Sequence, residues 1–170
     1  VVMSLNQPLK LEAIMFERWL NILRRVPSAV LWLVGMPESA QANILGFATR
    51  HSIDESRIVF APRVDTKAQH LRRLQLADLY LDPRIYNGHT TACDALVAGV
   101  PVLTLQGHHF ASRVSASSLK AAGLPTLVTH SLEEYETRAV ELLSSPDELA
   151  ALRATLEANH ASYPLFKPKR

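Results

Sequence analysis

Cysteine is nearly absent. Cys93 is the only one in 170 residues, so no intrachain disulfide can form. It is expected as a small buried apolar side chain rather than a nucleophile, because nothing beside it is built to lower a thiol pKa. Glycine is sparse as well, at 6, with no three-residue period, which excludes a collagen-like chain. Charge of one sign is lacking. Lys and Arg number 18 against 16 Asp and Glu, a net +2, and no run reaches five like charges. A general nucleic-acid binder carries a basic stripe, and none is present. Long apolar runs are missing too. Stretches such as Ala29 to Gly35 fall far short of the ~20 residues that span a bilayer. The start, Val1-Val2-Met3-Ser4-Leu5, has no basic segment before an apolar run, so no signal peptide is read there. It has no initiator Met, which suggests a chain cut from something longer.

What is present is ordinary globular material. Hydrophobic residues make up 48% and charged residues 20%, which excludes a disordered chain. The length fits one domain, or at most a small pair. Such a chain can bind a ligand, but is short for an enzyme whose site lies between two domains.

Short aliphatic runs alternate with longer amphipathic ones. Strands are expected at Val1–Leu5, Ala29–Val34, Arg57–Phe60, Leu79–Leu81, Val102–Leu105 and Thr126–Val128. They are nearly all apolar, as in parallel strands covered on both faces. Helices are expected at Leu11–Arg25, Ser39–His51, Lys67–Leu74, Thr91–Ala98, Phe110–Ala122, Leu132–Ser144 and Pro146–Asn159. Leu11, Ile14, Met15, Trp19 and Leu23 form a core stripe, with Trp19 as packing rather than ligand contact. Ser131 and Glu134 read as a capping box, Pro146 as a helix-opening proline, and the end from Pro164 as an unfinished connection or a fraying tail. Six βα units in a row specify an α/β fold: an open, mostly parallel, Rossmann-like sheet with helices on both faces. Ligands of such sheets bind beyond the carboxyl ends of the strands. The segments to inspect are therefore Asn6–Lys10, Met36–Ser39, Ala61–Lys67, Asp82–Thr91 and Gln106–Arg113.

Asn87-Gly88-His89-Thr90-Thr91 lies between a strand and a helix. Gly88 spares the turn a Cβ clash, and Thr90 and Thr91 offer hydroxyls at a helix start, where free N–H groups and the dipole favour phosphate. The same residues also suit a plain loop with Thr90 as N-cap. Neither a Walker A lysine motif nor Gly-x-Gly-x-x-Gly occurs there, which disfavours P-loop NTPases and dinucleotide dehydrogenases. Asp94 shares a helix face with Thr90, placed either to accept from ribose hydroxyls or to stand in solvent. Lys67, His70 and Arg73, three apart, suit a flat base and phosphate, or a solvated basic edge with Arg72. Lys10 could neutralise a leaving diphosphate or simply be solvated. Histidine and cysteine spacing shows no zinc pattern; His108 and His109 are adjacent. No Ser/His/Asp set, paired carboxylates or general base is legible.

As an ordered set, these segments resemble one family. Leu5 to Lys10, Trp19 to Pro27 leading to Val30–Leu33, Arg57–Phe60, His70–Asp78, Asn87–Thr91 and Ala111–Val114 resemble the C-terminal half of the catalytic region of the O-GlcNAc transferases. These are nucleocytoplasmic enzymes with tetratricopeptide repeats and a GT-B fold, and the likeness runs from Ser4 to about Phe166. The resemblance implies that residues 1–170 form one donor-binding domain, the C-terminal lobe of an inverting GT-B enzyme. That enzyme transfers GlcNAc from UDP-GlcNAc to protein Ser or Thr. It implies Gln7 and Lys10 at the diphosphate and sugar, with Lys10 stabilising departing UDP. Lys67 and Asp94 would hold the ribose, His70 would stack on uracil, and Arg73 would support the base pocket. His89, Thr90 and Thr91 would cradle the pyrophosphate, and backbone near Asp65 would meet the uracil edge. It further implies no metal or other cofactor, a cytoplasmic setting, and protein acceptors reached through an N-terminal lobe and repeats. No nucleic-acid or membrane partner is expected, and the chain alone should be inactive.

Two departures point to a bacterial type. Residues 61–66 are one longer than the animal pattern, and Gly35-Met36 replace bulkier or basic residues. The related plant-type O-fucosyltransferases, which use GDP-fucose, lack the His after Gly88, so His89 favours GlcNAc. UDP-glucose and N-glucosyl transfer are the other donor readings, and a non-catalytic nucleotide-sugar sensor is the reading from another class.

Overall fold

A computed structural model of the chain describes residues 1–167. Six parallel strands form one sheet: β1 (Val2–Ser4), β2 (Leu31–Val34), β3 (Ile58–Ala61), β4 (Leu79–Leu81), β5 (Val102–Leu105) and β6 (Val128–Thr129). Their order is β3-β2-β1-β4-β5-β6. The α/β, Rossmann-like arrangement read from the alternating runs is therefore observed. The order reverses between β1 and β4, so a crevice opens between their carboxyl ends.

Seven α-helices connect the strands: α1 (Ala13–Arg25), α2 (Glu38–Arg50), α3 (Lys67–Leu74), α4 (Thr90–Val97), α5 (Val114–Ala121), α6 (Leu132–Ser144) and α7 (Pro146–Asn159). Reversal of the strand order with right-handed crossovers sends the helices to both faces. α1 packs against α6 on one side, while α3, α4 and α5 pack in series on the other. The sheet between them is dry: Val2, Met3, Leu31, Leu79, Val102 and Leu103 are fully buried.

Local chemistry sets the helix starts. The Glu12 carboxylate accepts from Ile14 N (3.1 Å) and Met15 N (3.2 Å), opening α1 two residues later than the apolar pattern suggests. Thr66 and Gln69 form a reciprocal capping box at α3 that periodicity did not reveal. At α6 the Ser131 hydroxyl accepts from Glu134 N (3.0 Å) as expected. The return bond differs: Glu134 accepts from His130 N (2.7 Å), not from Ser131. Pro146 opens α7 as read.

Five other expectations change. On α1 the buried face is Met15, Phe16, Trp19, Leu20, Ile22 and Leu23, whereas Ile14 is 48% exposed. Ile14 lies off the buried face because it is nine residues, two and a half turns, from Leu23 and so on the opposite side of the helix. Trp19 does pack, with its indole N–H donating to the Tyr135 hydroxyl (3.3 Å). The run Thr126–Val128 splits into a 3-10 turn at Pro125–Leu127 followed by β6, since Pro125 fixes its φ and has no N–H for a ladder. Residues 110–122 likewise split, into a 3-10 turn at Phe110–Ser112 and α5. Cys93 is half-buried rather than buried, with its sulfur 3.5 Å from the Ser118 hydroxyl. From Pro164 to Lys167 the chain is tied down: Leu165 N donates to Ala121 O (3.0 Å) and Phe166 packs on His160 (4.1 Å between ring centroids). The remainder of that segment, 168–170, lies outside the described residues.

Candidate functional site at the sheet switch point

The crevice has two walls. After β1 come Asn6, Gln7 and a 3-10 turn at Pro8–Lys10. After β4 come Asp82 and the segment to His89, which leads into α4. Lys10 bridges them, its Nζ donating to Asn87 O (2.8 Å) and standing 4.0 Å from the Tyr86 ring centroid. Burial pulls the Lys10 pKa below its usual value, and the charge of Asp82 partly restores it. Gln7 is exposed at the head of the same turn, and its side chain makes no capping bond there.

The loop before α4 is built around a buried carboxylate. Asp82 is fully buried and accepts from Gly88 N (2.6 Å) and Thr104 Oγ1 (2.7 Å). Burial pushes its pKa up to about 6, opposed by those hydrogen bonds. Gly88 is needed for close approach. A Cβ there would sit 2.9 Å from Asp82 Oδ1 and from Ala92 N. The left-handed residue of the turn is His89, at φ 47° and ψ −111°. A non-glycine residue held at such φ is strained, and such strain clusters at functional sites. The His89 ring sits between Tyr86 (4.9 Å) and Phe110 (6.0 Å), with Nε2 3.3 Å from Ala111 O.

His89, not Thr90, is the N-cap of α4, and no side chain caps this end. Among the described residues, the amides of His89 and Thr90 and the Thr90 hydroxyl have no hydrogen-bond partner in the protein. The two threonines thus divide. Thr90 is exposed and free, while the Thr91 hydroxyl lies 2.6 Å from Asn6 Oδ1 and 2.8 Å from Gly88 O. One proton cannot serve a ligand as well, so Thr91 shapes the loop.

Beside this helix start lies a second cluster. Lys67, His70 and Arg73 on α3 meet Asp94 on α4. Lys67 forms an ion pair with Asp94. His70 Nε2 is 3.4 Å from the same carboxylate oxygen, and its Nδ1 is 3.2 Å from Arg73 Nη2. Arg73 also donates to Pro62 O (2.5 Å), fastening the 62–66 loop to the helix. A ring whose Nδ1 faces a guanidinium must accept there, so Nε2 carries the proton toward Asp94. Burial, then Arg73, holds the His70 pKa below the ordinary value, consistent with a neutral ring. Asp65 is exposed in the loop just before α3.

Every residue singled out by motif, apart from the exposed Gln7 and Asp65, therefore joins one of two adjoining clusters. Sequence reasoning missed Asp82, Tyr80 and Asn6 as the support beneath. Asn6 is buried and donates to Ser4 Oγ (3.2 Å) and the Tyr80 hydroxyl (3.0 Å) while accepting from Thr91. Burial raises the Tyr80 pKa, so that hydroxyl stays neutral. For Asn6 and Asp82 the position just past a strand end was the available signal, whereas Tyr80 lies inside β4. The described residues include no group of three or more His, Cys, Asp or Glu arranged to hold a metal ion. No helix among them is long and apolar enough to cross a membrane.

The profile of glycosyl transferase family 41 matches residues 1–170. A UDP-N-acetylglucosamine–peptide N-acetylglucosaminyltransferase of Caenorhabditis elegans is 39% identical over all of this chain and 15% of its own length. An Arabidopsis thaliana protein named "Probable UDP-N-acetylglucosamine--peptide N-acetylglucosaminyltransferase SEC" is 39% identical over 97% of this chain and 17% of its own. The chain thus spans about one-sixth of these relatives. Among solved structures, a K341M mutant O-GlcNAc transferase of Thermobaculum terrenum superposes with a TM-score of 0.90. It is 27% identical and covers 98% of this chain and 32% of that one. A Listeria monocytogenes protein described as a UDP-N-acetylglucosamine 2-epimerase shares the fold alone, at TM-score 0.59 and 16% identity over 96% of this chain and 39% of that one.

Proposed function

The chain belongs to glycosyl transferase family 41, and from that premise we propose that it is the donor-binding lobe of an inverting protein O-GlcNAc transferase. One observation carries the reading. Lys10, held without a carboxylate partner, meets the uncapped start of α4 across the switch-point crevice, and the Lys67–His70–Arg73–Asp94 cluster adjoins it.

The pyrophosphate of UDP-GlcNAc takes the free amides of His89 and Thr90 and the Thr90 hydroxyl. Fixed N–H donors at a helix start favour anions without reorganising. Lys10 keeps two ammonium hydrogens for the diphosphate, with Gln7 beside it toward the sugar. Asp94 and Lys67 take the ribose hydroxyls. His70, neutral and 17% exposed at its side chain, offers a ring face to uracil, and Arg73 steadies the 62–66 loop whose backbone near Asp65 meets the base edge. An acceptor serine or threonine oxygen attacks the anomeric carbon, and the bond to the diphosphate oxygen breaks. UDP leaves with the electron pair and Lys10 offsets its growing charge. The acceptor's proton passes to a base that we assign to the part of the relatives' length this chain does not span. This lobe by itself then does not transfer sugar.

Charge neutralisation by Lys10 and α4 does the work a divalent cation does elsewhere, so the reaction needs no metal. Activity of the full-length protein is expected to survive EDTA. A strict Mn²⁺ requirement would contradict the proposal. Asp94→Ala is expected to weaken UDP binding roughly tenfold or more, the scale of a hydrogen bond to a charged group. Equal affinity by calorimetry would remove the ribose assignment.

A further inference from the structure

Tyr86 stands on the outer wall of the crevice, 41% exposed. Its hydroxyl makes no hydrogen bond to another described residue, so neither burial nor a polar contact explains an aromatic there. What its ring does touch is Lys10, with Nζ 4.0 Å from the centroid. The other partner of that ammonium is a carbonyl, Asn87 O at 2.8 Å. Both partners are neutral.

The neighbouring ionisable groups are otherwise engaged. Asp82 lies beneath, bonded to Gly88 N and Thr104. Glu12, on the segment after Lys10, is paired with Arg84 (2.5 Å). The His89 and Tyr86 ring centroids are 4.9 Å apart. Among the described residues no carboxylate lies within ion-pairing distance of Lys10. A carboxylate partner would fix the ammonium but cancel its charge. An aromatic face fixes it and leaves the charge for an incoming anion. The ring also favours the ammonium over the amine, opposing the burial that pulls the Lys10 pKa down.

We infer that Tyr86 is a positioning residue whose ring clasps the Lys10 ammonium by cation–π contact at the point where departing diphosphate gathers charge. This rests on the leaving-group role proposed for Lys10. The clasp is a property of the ring and not of the hydroxyl. The ring is in turn braced by His89, itself edge-on to Phe110.

The test compares Tyr86→Phe and Tyr86→Leu in the full-length protein. The readouts are kcat at saturating UDP-GlcNAc, UDP affinity by calorimetry, and titration of Lys10 by NMR of labelled lysine, assigned with Lys10→Arg. Tyr86→Phe is expected to keep kcat within about twofold. Tyr86→Leu is expected to lower kcat roughly three- to thirtyfold, the range of such contacts, with a smaller change in UDP affinity. It should also lower the Lys10 pKa, so that the alkaline limb of kcat moves to lower pH. Unchanged Lys10 titration in Tyr86→Leu overturns the clasp, as does a Tyr86→Phe variant as impaired as Tyr86→Leu. A shifted titration in Tyr86→Leu, together with full turnover by Lys10→Ala, supports the clasp and removes the leaving-group role instead.

Discussion

Lys10 carries its charge among neutral partners, and Asp82 carries its own in a dry pocket under the phosphate-side loop. The two residues make opposite demands. In the proposed reaction Lys10 holds its charge for a leaving group whose charge grows, so Lys10→Ala is expected to cut kcat on the order of a hundredfold. UDP affinity should fall much less, and steady-state kinetics beside calorimetry separates the two. Asp82 is a matter of stability. Its folded pKa is raised from 3.8 to about 6 by burial, so the folded state binds this proton more tightly than the unfolded chain. Its contribution is fully present below pH 4 and is lost as pH rises to about 6, on the order of 2–3 kcal/mol. Asp82→Asn is expected to remove that pH-dependent component, measured by denaturant unfolding from pH 4 to 7. An unchanged slope would show that Asp82 does not titrate as its burial implies. Lys10 was legible in sequence as a cation after a strand. Asp82 was not, because an aspartate just past a strand end reads the same whether buried or solvated. Nothing local announces that Gly88 N and Thr104 converge on it.

Helix ends decide the site at the next scale. α1, α3 and α6 each receive a side-chain cap, from Glu12, Thr66 and Ser131. α4 does not, and its N-cap is a histidine at positive φ. α2, α5 and α7 also lack a side-chain cap; at α4 the open start borders the switch-point crevice, which suits an anion in the proposed function at some cost in stability. Gly88→Ala forces a Cβ to within 2.9 Å of Asp82 Oδ1. It is therefore expected to lower both stability and UDP affinity, read by thermal unfolding and calorimetry on one preparation. α1 makes a different kind of statement. Trp19 is 1% exposed and joined to Tyr135 of α6, whose hydroxyl is 3.3 Å from Asp82 O. Trp19→Ala should cost about 3–5 kcal/mol, the range for a buried aromatic, with UDP affinity at low temperature little altered. Periodicity found six strands and seven helices because apolar runs and stripes are long-range averages. It missed starts at Ala13 and Val114 and the divided run at Pro125, because such boundaries are set locally, by the Glu12 carboxylate cap at α1 and by the proline ring at Pro125.

For the whole molecule, the strand order is what brings distant motifs together. Lys10 and Asn87 are far apart in sequence, and only the reversal between β1 and β4 makes them neighbours. That juxtaposition was predictable in outline, since open parallel sheets bind ligands at such points, but the order itself cannot be read from alternation. The same reversal sets α3 against α4 and so Lys67 and His70 against Asp94. In the proposed function, these two clusters form one wall of a nucleotide-sugar cleft, and this wall selects a UDP-linked GlcNAc donor for transfer to protein. The most direct measurement offers UDP-GlcNAc, UDP-glucose and GDP-fucose to the full-length protein, with affinity by calorimetry and product identity by mass spectrometry of acceptor peptides. The expected result is tight binding of UDP-GlcNAc, displacement by UDP but not GDP, and a single added N-acetylhexosamine on serine or threonine. Preferential binding of GDP-fucose, or a fucosylated or glucosylated product, would contradict it.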